Sequence, residues 1–281
     1  MLRSLCCLTL LALSRLAAQP RVTNASLQTR SAAAGLEKEF RALVDGAAAP
    51  AWIGYVVPLV DGEHRMCCWS HEPCTCTLEG ARGDSQTFTT SPVKLEGPRN
   101  MLVLFRAEQK KVGKIRTFTE DCPLDAGGLP VHWLSDVRPA ESVTLLASFL
   151  TAPENRLRDG AVTALAFHAA PEALETLIGA ARNDPSSHVR GQALFWLAQR
   201  AGQKVASTIT EAIEQDPDTE VKKRAVFALS QLKEDGVPLL IQVARANRNP
   251  AVRKQAIFWL GQSRDPRALA FFEEILGSGK R

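Results

Sequence analysis

The eleven residues 189–199, V-R-G-Q-A-L-F-W-L-A-Q, return twice further along this chain. They reappear as V-K-K-R-A-V-F-A-L-S-Q at 221–231 and as V-R-K-Q-A-I-F-W-L-G-Q at 252–262. A weaker copy, L-R-D-G-A-V-T-A-L-A-F, occupies 157–167. Successive starts are 32, 32 and 31 residues apart. A fixed period of this size restricts the fold severely: each unit has an apolar face too small to bury alone, so units stack and cover one another. An α-solenoid of about four units is therefore expected over residues 139–281.

Proline opens each unit, at Pro153, Pro185, Pro217 and Pro250, with Asp184 and Asp216 placed before two of them for turns or caps. The motif forms the first helix of a unit. The second carries its own stripe, such as Leu174, Leu177 and Ile178, or Leu239, Leu240 and Val243. A helix starting at Pro139, with Val143, Leu146 and Leu150, leads into the array. Proline, a few polar residues and then V-R-x-x-A-x-x-x-L-[AG]-Q resembles the short HEAT-like repeats of bacterial proteins. The lyases that attach bilins to phycobiliproteins carry the same repeat type. This resemblance spans roughly residues 139–281. It implies stacked antiparallel helix pairs with a curved surface that binds other proteins, and it implies no reaction.

Composition excludes some partners. The 34 basic and 30 acidic residues leave a net charge of +4, too balanced to argue for nucleic acid or an anionic membrane. Residues 1–18 read as a secretory signal peptide. Arg3 lies near the start, residues 5–13 are apolar, and Leu16-Ala17-Ala18 offers a small-residue cleavage site. The run is too short to span a bilayer. Export of a protein without a stable membrane anchor is expected, to the periplasm or outside the cell.

Residues 19–50 read as a polar, flexible lead followed by an amphipathic helix from Ser31 to Val44, with Leu36, Phe40, Leu43 and Val44 on one stripe. Residues 51–138 read as a β-rich domain. Asp61-Gly62 is expected to turn 52–60 into a hairpin with 63–69, and 101–106 should pair with 112–118. Val131–Leu134 reads as a further strand. The expected fold class is thus an α+β N-terminal domain, a small antiparallel sheet plus helix, followed by an all-α HEAT-like solenoid.

Export changes the meaning of the cysteines. Cys67, Cys68, Cys74, Cys76 and Cys122 all precede the repeats, and in an oxidising compartment they read first as a disulfide framework with one thiol left over. A zinc site or a redox-active thiol is the alternative, giving a metal- or thiol-dependent activity centred on Cys67 to Cys76. C-C and C-x-C, however, lack the two-residue gap of zinc knuckles.

Two features of the repeats are candidates for partner contact. The basic ladder Arg158, Arg190, Lys222 and Arg253 forms either a positive groove or a hydrogen-bond ladder between units. Trp196 and Trp259, each following a phenylalanine, either fill the stack beside Ala228 or anchor a partner. No catalytic residue, metal ligand or cofactor site is assigned. Deoxyhypusine hydroxylase is a HEAT-repeat enzyme whose iron is held by His-Glu pairs, yet here His168 and His188 are not followed by Glu. The expected function is an exported, non-catalytic scaffold that binds protein partners through its solenoid surface.

Overall fold

The computed structural model describes residues 20–62, 64, 66–67, 76–80, 97–200 and 203–277. The expected signal peptide, Cys68 and Cys74 lie outside these residues.

Strands begin earlier than expected. Part of the polar lead forms β1 (Val22–Thr23) and β2 (Leu27–Ser31). Every β2 residue is exposed, because an edge strand needs to offer only its backbone, and this hides it in the sequence. Helix α1 (Leu36–Gly46) buries Leu36 and Phe40 and starts after Ser31, which still pairs in β2.

Then follow β3 (Ala51–Pro58), β4 (Cys76–Thr77), β5 (Asn100–Glu108), β6 (Lys111–Thr119), β7 (Leu124–Asp125) and β8 (Val131–Ser135). The main sheet has the order β2-β8-β3-β5-β6. It is mixed rather than antiparallel. β3 pairs antiparallel with β5 but parallel with β8, and β8 pairs parallel with β2. β3 thus has a partner on each side, β5 and β8, and most of the return strand expected over 63–69 lies outside the described residues. The β5–β6 hairpin does form, with Gln109 and Lys110 at φ 51° and 59°, the left-handed pair a two-residue turn of matching twist requires. A second, all-parallel sheet, β1-β7-β4, covers one face.

Strand alternation divides the side chains between two cores. Trp52, Leu102, Leu104, Val131 and Trp133 face the small sheet, with Cys76, Cys122 and Leu124. Ile53, Tyr55, Met101, Val103, Phe105 and Leu134 face the helices, in one apolar cluster that continues to Phe271.

The helical part comprises α2 (Pro139–Ser148), a 3-10 turn (Phe149–Thr151), α3 (Asn155–Phe167), α4 (Pro171–Asn183), α5 (Ser187–Ala198), α6 (Gln203–Gln215), α7 (Thr219–Ser230), α8 (Lys233–Ala246), α9 (Pro250–Gln262) and α10 (Pro266–Gly277). The motif lies on α3, α5, α7 and α9, and its Val/Leu, Ala and Leu positions are buried in every copy. The motif helices α5, α7 and α9 pack more closely on the helix before them than on the one after, giving pairs α4–α5, α6–α7 and α8–α9. The motif helices also approach one another more closely than the intervening helices do, so they form the inner layer of a curved stack.

The stack begins on the sheet. β6 lies along α3 where a preceding inner helix would lie, and α2 takes the outer place. Gly160 permits this. A Cβ there would sit 2.7 Å from the Cβ of Ile115 on β6 and 3.0 Å from its carbonyl oxygen. The other copies have Gln192, Arg224 and Gln255 at the same position. The end of β3 adds a second seam, in which Ala169 N–H donates to Pro58 O and Val60 N–H to Phe167 O, both at 3.0 Å.

Candidate protein-binding face

The basic ladder works inside the stack. Arg190 donates to both carboxylate oxygens of Asp216 at 2.7 and 3.0 Å, and to Asp184 O at 2.8 Å. Lys222 Nζ reaches Glu214 O at 2.7 Å, and Arg253 reaches Asn247 O at 2.8 Å. Arg158 bonds Ala152 O and Pro153 O, and at 3.0 Å the hydroxyl of Ser186 in the next turn. Each cation therefore sits on carbonyls at the C-terminal end of the preceding helical segment, where the orphan acceptors and the helix dipole favour positive charge. The Asp216 hydrogen bond holds the Arg190 pKa above its ordinary value. Arg190 is only 8% exposed, so of the contact candidates Arg190, Lys222 and Arg253 all have structural work and Arg190 is shut away from a partner.

The inner face proper is built by residues three, six and ten places into the motif. Phe195, Phe227 and Phe258 occupy one row, flanked by Gln192, Arg224 and Gln255 on one side and Gln199, Gln231 and Gln262 on the other. Helical spacing places these positions on a single stripe of each helix. The Phe195 and Phe227 rings stack at 6.0 Å and 9°. Arg224 lays its stem over Gly191, where a Cβ would meet its Cδ at 2.6 Å.

Trp196 and Trp259 are half-buried and knit this row together rather than standing out from it. Trp196 meets Phe167 and Phe195 at 5.1 Å each, and Trp259 meets Phe227 at 4.8 Å and Phe258 at 5.1 Å. The result is an unbroken run of rings from α3 to α9. Phe195 and Phe227 are partly exposed, and Phe258 is 53% exposed. Sequence reasoning singled out the tryptophans. The phenylalanines and glutamines emerge as a surface only when the face of each helix is known, although their recurrence was the available signal. Exposed Arg224 and Lys254 add positive charge, whereas Lys223 is paired with Glu220 at 2.9 Å.

The cysteine region has a different character. Cys67 and Cys122 form a disulfide across 55 residues. Thr119 Oγ1 lies 3.1 Å from the Cys122 sulfur. Cys67, Cys122 and Asp121 bring donor atoms within 4.8 Å, but bridged sulfurs offer no thiolate to a metal. Cys76 is buried on β4. The two histidines of the repeats are also separated in role. His188 contacts Asp159 at 2.6 Å, while buried His168 accepts from Ala170 N–H through Nδ1. Burial pushes the His168 pKa down to about 4.

Among the described residues no helix is long and apolar enough to cross a membrane. No curated protein matches the sequence. Among solved structures the chain is similar to human deoxyhypusine hydroxylase in complex with glycerol, at 18% identity over 47% of this chain and 43% of that one, TM-score 0.35. It is similar also to the complex of CpcE and CpcF of phycocyanin lyase from Nostoc sp. PCC7120, at 21% identity over 44% and 86%, TM-score 0.33. For the E. coli protein YibA the values are 25%, 49%, 54% and 0.34. The chain spans less than half of the hydroxylase. A family model described as HEAT repeats matches residues 206–281, across the last two copies of the motif. Residues 206–281 are thus HEAT-like repeats, and the motif they carry recurs at 157–167 and 189–199.

Proposed function

We propose that this chain is an exported, non-catalytic scaffold that holds an extended segment of a partner protein along the inner face of α5, α7 and α9. The carrying observation is the phenylalanine row, presented by three successive motif helices, partly exposed at Phe195 and Phe227 and exposed at Phe258. Aromatic side chains offer large contact area and are enriched in protein interfaces. The flanking glutamines supply both donors and acceptors for a partner's backbone. Arg224 and Lys254 favour acidic side chains in that segment. Export is supported by the signal-like residues 1–18 and by the Cys67–Cys122 bridge, which suits an oxidising compartment.

The test is selection of a displayed library of random peptides on the purified protein. Enriched sequences should combine aromatic or aliphatic residues with Asp or Glu. Replacing Phe195, Phe227 and Phe258 together by Ser should weaken them at least ~30-fold, a loss of about 2 kcal/mol. Peptides that bind the triple variant equally well would refute this face as the binding site.

A further inference from the structure

The two ends of the stack differ. At the N-terminal end β6 and α2 cover the first unit, whereas the far side of α9 and α10 is uncovered among the described residues. Ile257 shows the consequence. Its equivalents Val162, Leu194 and Val226 are each 0% exposed beneath the next unit, but Ile257 is 40% exposed. Helix α10 goes further than merely lacking a neighbour. Leu276 stands where the other outer helices carry Arg182, Glu214 and Arg245, and Leu269 where they carry Glu175, Ser207 and Pro238. These leucines are 72% and 62% exposed. An uncovered end of a repeat array is ordinarily made polar; here a position charged in the other outer helices, and one that carries Glu, Ser or Pro, have both become leucine.

We propose that this end face binds a second copy of the chain, in a two-fold dimer that continues the stacking interface between units. A head-to-tail array of copies is blocked because the opposite end is already occupied by the sheet, so two copies can pair through this face only about a two-fold axis. The apolar stripe suits such pairing. Leu269, Phe272 and Leu276 are spaced i, i+3, i+7 on one side of α10. The spacing is nearly symmetric about its centre. Two antiparallel copies therefore set Leu269 of each against Leu276 of the other, with the Phe272 rings near the axis. Ile257 of α9 flanks this seam.

The face is modest. Two helices of 13 and 12 residues make a patch about 20 Å by 20 Å, or roughly 400 Å² per copy. That lies below the size of a standard stable interface, so the dimer is weak and concentration-dependent.

Sedimentation velocity on the full chain from ~1 to ~300 µM tests this, with the mass expected to rise from 30.6 kDa toward twice that value. Leu276→Glu and, independently, Ile257→Glu should each raise the dissociation constant at least ~30-fold, since each change enters the interface twice. Circular dichroism checks that both variants keep their helices. The Phe195, Phe227 and Phe258 triple serine variant should dimerise normally, which separates this face from the peptide-binding one. A single monomer mass at every concentration overturns the proposal. So does a dimer that both glutamate variants leave intact.

Discussion

The sheet region and the helical stack are held together over different distances along the chain. Leu27 in β2 pairs with Val131 in β8, and Cys67 bonds to Cys122 across 55 residues. In the stack, Arg190 reaches Asp216 only 26 residues away, and each inner helix touches chiefly its neighbours. The sheet therefore closes long loops before its contacts form, while the stack grows by short steps. Yet the apolar cluster beneath the sheet is the same one that runs through the helices. The difference in range does not produce two separate cores, and the stability of the array rests on the sheet as its N-terminal cover.

The strongest way to break this comparison is Cys122→Ala. Opening a loop of 55 residues should cost about 4 kcal/mol on the chain-entropy account. Because the core is continuous, tryptophan fluorescence and helical dichroism should lose their transitions together in urea. In a Trp196→Phe, Trp259→Phe background, which removes the tryptophans of the stack, a fluorescence transition that moved without the helical one would make the two regions independent folding units.

A second probe sits at the seam. His168 is neutral and buried, its pKa pushed down to about 4, against about 6.5 in an unfolded chain. The unfolded state thus binds the proton first, and stability that is complete above pH 6.5 is lost as the pH falls toward 4. The loss amounts to about 3 kcal/mol, with the steepest slope between those values. Denaturant midpoints at pH 7, 5.5 and 4.5 should show it, and His168→Leu should flatten that slope. An unchanged slope would place the titrating group elsewhere.

Gly160→Gln gives the smallest effect and sharpens the junction itself. It installs the residue that α5 and α9 already carry at this position, yet here it meets Ile115. Overpacking should cost about 2 kcal/mol. Amide exchange should rise first in β6 and α3, and uniform exchange across the molecule would argue against a local seam.

Much of the stack is legible in the sequence because each repeat reports on itself. Val189, Ala193, Leu194 and Leu197 are buried as their spacing predicts, and so are their equivalents in α7. The ladder of Arg and Lys was readable as a set of internal hydrogen bonds. The sheet was less legible. β2 is polar and exposed along its whole length, and strand direction depends on which distant segment arrives beside β3. For the binding face, the aromatic recurrence was visible, and Trp196 and Trp259 could either fill the stack or anchor a partner. They fill space between helices, and Phe258 is the exposed ring.

By itself, then, the sequence determined the period, the helical identity of each unit and the buried stripe, since these follow from local spacing of apolar residues. It also determined the cations at each turn, because Arg190 and its equivalents act within reach of their own helix ends. Only the tertiary structure decided the phase of the pairing, the mixed sheet and the replacement of a first inner helix by β6. A periodic pattern reads the same wherever a unit is said to begin, and an apolar face does not name what covers it.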